Sequence, residues 1–254
     1  MAHLQRGRHR LPGVHGDGGP ATAASLNDPS SVTVDGSGNL VIDDQGNDRV
    51  RVVAAGTGMF YGQMMTADDI YTVAGNGKGP KALCCSGDQA TSALLLEPAA
   101  VASDQAGNTL VAESKQVQAV AAATGTFYGR AMTAGHLYTV AGGGTGLTSG
   151  VPATKAALTG PHGLTIDGAG DLAFVNTNGD SVWLVAPQAG TFYGQTMKAG
   201  DIYEVAGTGT LGFSGDGGPA ASAELAWPTD VTATAAGTLL ITDSLNDRVR
   251  QVEG

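Results

Sequence analysis

The sequence predicts an all-β fold made of repeated four-stranded units, and three observations indicate it. Glycine accounts for 40 of the 254 residues without a collagen-like period, which is typical of many tight turns between short strands. The segments GMFYGQMMTADDIYTVAGNG, GTFYGRAMTAGHLYTVAGGG and GTFYGQTMKAGDIYEVAGTG, starting at residues 58, 125 and 190, are near copies. A second block starts at Pro29, Pro98, Pro161 and Pro228. Radial repetition of such units, which leaves only short protected edges, is typical of a β-propeller.

The first unit shows the expected elements in chain order. Val32–Val34 is the first predicted strand and ends at an Asp-Gly-Ser-Gly turn, and Leu40–Ile42 is the second. Arg49–Val53 alternates charged residues and valine, as a half-exposed strand does. A hairpin containing Phe-Tyr-Gly then leads to a fourth strand, Ile70–Val73. The Ala-rich stretches before each proline are interpreted as connectors between units.

The repeats divide the chain into a basic tail and one propeller. Residues 1–13 are expected to be a disordered tail or a cloning edge, and residues 14–254 form the propeller. Its units are approximately 14–79, 80–145, 146–209 and 210–254. The fourth unit ends after its third strand, and the N-terminal segment lacks the β-branched alternation that a replacement strand needs. Three arrangements follow: a small ring of four units, a fragment of a longer propeller, or closure by oligomerisation.

The block PSSVTVDGSGNLVIDDQGNDRVRVV resembles the NHL repeat, with its Pro-x-x-Val-x-Val-Asp, Gly-Asn-Leu and Asp-x-x-Asn-x-Arg elements. The inserted hairpin segment resembles a long-blade version found in NHL proteins of high-GC bacteria. The resemblance covers nearly everything from Gly16 onward, and it implies a bacterial β-propeller. Two repeats depart from the pattern, with Glu113 and Asn176 in the slot that Asp44 occupies in the first repeat.

Charge and hydropathy exclude some partners. The formal net charge is −10, and an acidic surface repels phosphate backbones, so no nucleic acid is expected as a partner. No apolar run approaches the roughly 20 residues that span a bilayer, so no membrane insertion is expected. The basic start lacks a following apolar segment and is not a signal peptide. The expected location is therefore cytoplasmic as the sequence stands, and extracytoplasmic if the sequence is a trimmed piece.

The acids that recur between repeats are interpreted first as framework. Asp35, Asp104 and Asp167 share one slot in a Gly-rich turn, where a carboxylate accepts nearby backbone N–H bonds. Asp17 and Asp216, in the two GDGGPA segments, are expected to bond local backbone in the connectors. Asp44 recurs with Asn47 and Arg49, and Asp243 with Asn246 and Arg248, which predicts a carboxylate that clamps a turn and pairs with that arginine. The alternative is that Asp44, Glu113 and Asp243 bind a ligand on the top face, where the inner strands begin.

His162 and Asp230 fall outside the repeat consensus, so the fold does not explain them. Both follow the proline that starts an inner strand, near the expected channel mouth. A histidine and a carboxylate there are candidate binding residues and candidate catalytic residues for general acid–base chemistry. The resemblance implies that some related propellers are lyases or hydrolases with a metal at the channel. A metal site is not predicted here, because metal catalysis usually needs about three protein ligands.

The leading hypothesis is a non-enzymatic scaffold that binds a protein or small-molecule ligand on its top face and needs no cofactor. One alternative is a propeller lyase or hydrolase that uses His162 and Asp230, with a divalent cation in the channel as an option. A second is an extracytoplasmic sensor domain of a larger protein, and a homo-oligomer is compatible with each hypothesis. Cys84 and Cys85 are interpreted as two small loop residues, with a strained redox-active pair as the alternative.

Overall fold

A computed structural model describes residues 15–79 and 86–253 of the chain. The predicted tail and the Cys84–Cys85 pair lie outside these residues. The described part is all-β, and its helical segments are single 3-10 turns: Ala21–Ala23, Gln45–Asn47, Ala90–Ser92, Ala153–Lys155, Thr177–Gly179, Ala220–Ser222 and Ser244–Asn246. None of these helical segments could cross a membrane.

Four antiparallel sheets follow one another along the chain as the blades of a β-propeller. Blade 1 comprises Ser31–Val34, Leu40–Asp44, Arg49–Val53 and Asp69–Ala74. Blade 2 comprises Ala100–Ser103, Thr109–Glu113, Gln116–Val120 and Leu137–Gly142. Blade 3 comprises Pro161–Ile166, Leu172–Asn176, Ser181–Val185 and Asp201–Ala206. Blade 4 comprises Pro228–Ala233, Leu239–Asp243 and Arg248–Val252.

In each blade the strand order in the sheet follows the chain, from an inner strand to an outer strand. Two connectors add short strands, Gly19–Pro20 and Val151–Pro152, beside the outer strand of blades 1 and 3. A small hairpin precedes each outer strand and is separate from the blade: Gly58–Phe60 with Gln63–Met65, Gly125–Phe127 with Arg130–Met132, and Gly190–Phe192 with Gln195–Met197. The predicted all-β propeller fold is therefore confirmed.

The Phe-Tyr-Gly hairpins are tied to the inner turns of their blades. Tyr61 and Gly62 both have positive φ, 50° and 74°, as a two-residue type I′ turn requires. The Tyr61 hydroxyl donates to Asp35 Oδ2 at 2.9 Å. Asp35 Oδ1 accepts the backbone N–H groups of Ser37 and Asn39 at 2.9 Å each. The prediction that Asp35 accepts local backbone bonds is confirmed, and the tyrosine explains why hairpin and turn recur together.

The hydrophobic core lies between the blades, in three successive clusters. In the first, Val41 and Val50 of blade 1 cluster with Val101 and Val111 of blade 2. The second joins blades 2 and 3, and the third joins blades 3 and 4. No core cluster within residues 15–79 and 86–253 joins blade 4 to blade 1.

Blades 1 and 4 consequently expose apolar residues whose equivalents in other blades are buried. Val32 of blade 1 is 62% exposed, whereas its equivalent in blade 2, Val101, is 4% exposed. Val249 of blade 4 is 69% exposed, whereas its equivalents Val50 and Val182 are fully buried. Each of these positions is exposed on the side where no further blade lies among residues 15–79 and 86–253.

The arginine that pairs with Asp44 is Arg51, not Arg49 as predicted. Arg51 Nη1 lies 3.7 Å from Asp44 Oδ2, and Arg51 is fully buried. Arg49 instead donates to the carbonyl oxygen atoms of Asn47 and Asn76. The predicted clamp on the turn is present, because the Asn47 side chain donates to Asp44 Oδ2 at 2.8 Å.

Blade 4 repeats this arrangement, so the predicted pairing of Asp243 with Arg248 is corrected in the same way. Arg250 Nη1 lies 3.6 Å from Asp243 Oδ2. The two connector carboxylates reach these same arginines: Asp17 lies 2.9 Å from Arg51 and Asp216 lies 2.7 Å from Arg250. The Asp17 and Asp216 carboxylates therefore fasten each connector to the third strand of its own blade by an ion pair, whereas the sequence predicted that they bond local backbone.

Candidate functional site

The structure brings His162 and Asp230 to the starts of neighbouring inner strands. His162 Nδ1 lies 3.0 Å from the Thr229 carbonyl oxygen. A Cβ on Gly163 would lie 2.5 Å from the Asp230 Cα, so glycine is needed for this close approach of the two strands. His162 and Asp230 are both exposed. The two candidates found by departure from the repeat pattern thus share one surface at the top face.

The acidic candidates lie in a different environment. Asp44, Glu113 and Asp243 are fully buried. Each accepts a backbone N–H from the connector of its own blade, from Asn27 at 2.7 Å, Leu96 at 2.8 Å and Ala226 at 2.7 Å. These contacts fasten the connector over the start of the inner strand. The structure does not bring the three carboxylates onto the surface that His162 and Asp230 share.

Two exposed apolar residues of blade 4 lie on the loops next to these strand starts, and sequence reasoning did not identify them. Trp227 is 45% exposed and Leu245 is 63% exposed. The Leu245 N–H donates to the Ala226 carbonyl oxygen at 3.1 Å, which places the two side chains on adjacent loops. Hydrogen bonding between the Thr229 and Ser244 hydroxyl groups, 2.5 Å apart, joins the same loops. We call His162, Thr229, Asp230, Trp227 and Leu245 the top-face patch.

Trp227 has an unusual backbone conformation. Its φ is 51°, in the left-handed region, which is uncommon for a bulky residue. The equivalent residues Asp28, Glu97 and Gly160 also have positive φ, at 48°, 50° and 74°, so the connector imposes this geometry. The Trp227 N–H donates to Asp180 Oδ1 at 2.7 Å. The sequence signal for Trp227 was a large aromatic residue in a slot that otherwise holds Asp, Glu or Gly.

A pair of buried carboxyl groups lies at the contact between blades 1 and 2. Asp43 Oδ2 accepts the Ser30 hydroxyl at 2.6 Å, while Oδ1 has no hydrogen-bond partner. Burial raises the pKa of Asp43 to about 7, and the neighbouring Asp44 charge adds to the effect. Burial, reinforced by the Asp43 charge, raises the pKa of Glu113 to about 8. Both groups therefore hold protons at a pH where an exposed carboxyl group is ionised.

The top-face patch combines an apolar surface with polar groups. An indole ring and a leucine side chain provide an apolar surface, and the imidazole and carboxylate beside them provide a donor and an acceptor. Among residues 15–79 and 86–253, no three His, Cys, Asp or Glu side chains lie close enough together to share a metal ion.

Comparison with known proteins adds evidence on the fold. No protein-family profile and no curated protein matches the chain. A structural genomics protein of unknown function from Bacteroides thetaiotaomicron matches with a TM-score of 0.58 and 15% identity, over 89% of this chain and 47% of that one. An auxiliary nutrient binding protein from the same organism matches with a TM-score of 0.53 and 14% identity, over 88% and 47%. The chain thus spans about half the length of these solved structures, and at such identities the likeness shows the fold alone.

Proposed function

We propose that this chain is an NHL-type β-propeller that binds a ligand at the top-face patch. The observation that carries this proposal is the exposed Trp227, on a loop adjacent to that of Leu245 and directly before the strand that holds Asp230. Exposed tryptophan side chains are frequent energetic anchors of binding sites, because a large rigid surface is covered at low entropic cost. The repeat does not require a tryptophan at this slot, so the fold alone gives no reason for it.

The ligand class follows from the patch. A flat apolar surface with one donor and one acceptor at its rim suits a sugar ring or a short peptide that carries an apolar side chain. The chain's acidic charge of −10 disfavours phosphorylated ligands. A protein of similar fold is named as an auxiliary nutrient binding protein, which supports a small molecule or an oligosaccharide as the ligand.

Trp227 offers a direct test, because the chain contains two tryptophans and the other, Trp183, is 3% exposed. In a W183F protein, all of the tryptophan fluorescence comes from Trp227, so a change in emission reports binding near this residue. The probes are a set of soluble oligosaccharides and a set of short apolar peptides. We expect at least one probe to shift the Trp227 emission in a saturable manner, and Leu245→Ala to weaken that binding at least tenfold.

The matched control is Met64→Ala, since Met64 is 64% exposed but lies on the hairpin at the opposite face. Met64→Ala should leave the affinity unchanged. If no probe changes the emission, or if Leu245→Ala and Met64→Ala behave alike, the proposed binding site is wrong.

The alternative enzymatic function rests on the proximity of His162 and Asp230. A lyase or hydrolase would use them as general acid and base on a ligand held by Trp227. A substrate found through the fluorescence assay would then be turned over by the unmodified protein and bound without turnover by His162→Ala. If the unmodified protein binds the ligand but does not convert it, the non-enzymatic scaffold hypothesis is favoured.

A further inference from the structure

A groove lies between blades 2 and 3, beside the Phe-Tyr-Gly hairpin of blade 2. One wall is formed by that hairpin and the outer strand Leu137–Gly142, and the other by the connector of blade 3 and the start of Asp201–Ala206. The volume of the groove is about 310 Å³, at the small end of the range for ligand sites. The five residues of the top-face patch lie outside its lining, so this is a second, separate surface feature.

Both walls of the groove are fixed by contacts within the protein. A Cβ on Gly200 would lie 3.2 Å from the Tyr128 carbonyl oxygen, so the loop before the outer strand of blade 3 packs on the hairpin turn of blade 2. The Tyr128 hydroxyl donates to Asp104 Oδ2 at 3.3 Å, which ties this hairpin to the inner turn of its blade. On the other wall, Pro152 of the connector pairs with Asp201 of the outer strand.

Arg130 brings a positive charge to the groove with most of its donors unused. Its guanidinium carbon lies 5.2 Å from the centre of the Tyr138 ring, and Nη1 donates to the Thr139 carbonyl oxygen at 3.4 Å. A guanidinium group has five N–H donors, and this is the one hydrogen bond that Arg130 makes within the described part of the chain. The ring and the carbonyl orient the group, and the remaining donors are available to a carboxylate, which arginine binds through two parallel hydrogen bonds.

Asp201 brings a negative charge to the opposite wall. Its backbone N–H donates to the Lys198 carbonyl oxygen at 3.2 Å, whereas its carboxylate has no hydrogen bond within residues 15–79 and 86–253. Arg130 and Asp201 are the two charged residues that line the groove, and among the described residues no ion pair joins them. The groove therefore presents one charge of each sign, held apart.

The repeat does not require this pair of charges. The equivalents of Arg130 are Gln63 and Gln195, and each donates its side-chain amide to a carbonyl of its own outer strand, at 3.0 Å and 2.8 Å. At the contact between blades 1 and 2, His136 stands in the place of Asp201, and its ring bonds to the connector of its own blade. In the described part of the chain, the opposite charges thus face a groove at the contact between blades 2 and 3 alone.

We propose that this groove binds a small zwitterion, namely a free α-amino acid with an apolar side chain. The ligand carboxylate pairs with the unused donors of Arg130, and its ammonium group pairs with the Asp201 carboxylate. A ligand with a carboxylate alone is disfavoured by the charge of Asp201, and a simple amine by that of Arg130. Tyr128, Met132 and Val140 contribute apolar surface for the side chain.

The first test is calorimetric titration of the full chain with L-leucine, L-methionine and L-phenylalanine. We expect saturable binding of at least one of them. The matching N-acetyl amino acid lacks the ammonium group and the matching amino acid amide lacks the carboxylate, so each should bind about tenfold or more weakly. If none of the three amino acids binds, or if the capped forms bind equally well, the proposal is wrong.

The matching protein variant is Arg130→Gln, because glutamine is the residue that the other two hairpins carry at this position. Arg130→Gln and Asp201→Asn should each weaken binding by about tenfold or more. Asp69→Asn changes the equivalent residue of blade 1, which lies outside the groove, and should leave the affinity unchanged. An unchanged affinity in Arg130→Gln, or equal losses in Asp201→Asn and Asp69→Asn, would overturn the proposal.

The position of the ligand is tested by NMR of isotope-labelled methionine methyl groups. Met132 lines the groove, while its equivalents Met65 and Met197 lie outside it and are as deeply buried, with 0% and 1% exposure against 2%. Addition of the amino acid should shift the Met132 signal and leave the other two in place. Equal shifts of all three signals, or none, would contradict the site. Trp227 takes no part in these readouts, so either binding proposal can fail while the other holds.

Discussion

At the residue scale, the position of Asn39 shows how replacing an amide by a carboxylate leaves a buried side chain without hydrogen-bond partners. Asn39 donates from Nδ2 to Asp35 Oδ2 at 2.9 Å and accepts the Ala55 N–H at 2.8 Å. In blade 3 the slot holds Asp171, and Pro187, which has no N–H, stands in the place of Ala55. Neither carboxylate oxygen of Asp171 has a hydrogen-bond partner. Burial, with the Asp167 charge in support, raises the pKa of Asp171 to about 7.

We therefore predict that Asp171→Asn stabilises the protein. The amide restores the donor to Asp167 and removes a like charge, so the free energy of unfolding at pH 8 should rise by about 1–3 kcal/mol. The gain should shrink as the pH falls from about 7 towards 4, because folding then benefits from a proton that Asp171 retains. Urea unfolding at pH 5 and pH 8 measures both values. A gain that is equal at the two pH values, or a loss, contradicts this account.

The two arginines that fasten the connectors give a second residue-scale prediction. Arg51 is fully buried, and its removal leaves the buried Asp44 without its cationic partner. Arg51→Ala should cost about 3–5 kcal/mol of unfolding free energy. Arg250→Ala also leaves a buried carboxylate, Asp243, without its cationic partner. It should nevertheless cost about 1 kcal/mol less, because the Arg250 side chain is 10% exposed where that of Arg51 is 0%, and Asp216 is 69% exposed where Asp17 is 42%. Chemical denaturation of the two variants compares them directly, and equal losses would be evidence against the burial argument.

At the element scale, the same valine slot is buried in three blades and exposed in the fourth. Val182→Ala should lower the free energy of unfolding by about 2 kcal/mol, since two buried carbon groups are lost and a cavity remains. Val249→Ala should change it by less than about 0.5 kcal/mol, because Val249 is 69% exposed. The thermal midpoints of the two variants give the comparison. A large loss for Val249→Ala would mean that its face is covered in solution.

The order of the strands was predictable from the sequence, whereas their long-range partners were not. The predicted strand Arg49–Val53 agrees with the structure, and the predicted Val32–Val34 differs by one residue from Ser31–Val34. Alternation and turn residues are local signals, so they locate strands well. Arg49 and Arg51 lie two residues apart on one strand, and the choice between them depends on the Ser25 carbonyl, which accepts from Arg51 at 2.9 Å. No local pattern reveals that contact.

Some residues of the candidate site were likewise predictable from the sequence, and others were not. His162 and Asp230 were identifiable because they depart from the repeat, and the structure places both near one another. Trp227 departs from the repeat equally, but its exposure depends on the left-handed connector geometry and on the bond from its N–H to Asp180. For Asp44, Glu113 and Asp243 the sequence left two interpretations open, framework or ligand binding on the top face. Their burial under the connectors favours framework, and that burial depends on long-range contacts.

At the scale of the whole molecule, the raised pKa values predict how stability depends on pH. In the unfolded chain Asp43 and Glu113 titrate near 3.8 and 4.5, and in the folded protein at about 7 and about 8. Between these values the folded state binds more protons than the unfolded state, so the free energy of unfolding falls as the pH rises from about 4 to 8. Urea midpoints at pH 5 and 8.5 test this. The Asp43→Asn, Glu113→Gln double variant should show a smaller decline, and a midpoint that rises with pH would contradict the prediction.

The three core clusters in series have a consequence for how the molecule comes apart. Each blade shares its core with its immediate neighbours alone, so an end blade has one stabilising neighbour and a middle blade has two. Cooperativity in such linear arrays is transmitted from neighbour to neighbour. Blade 4 has three strands in the described part of the chain, so it should open first and exchange its amide hydrogens fastest, while the shared strands of blades 2 and 3 exchange last. Loss of blade 4 would leave two of the three clusters intact, whereas loss of a middle blade would split the array.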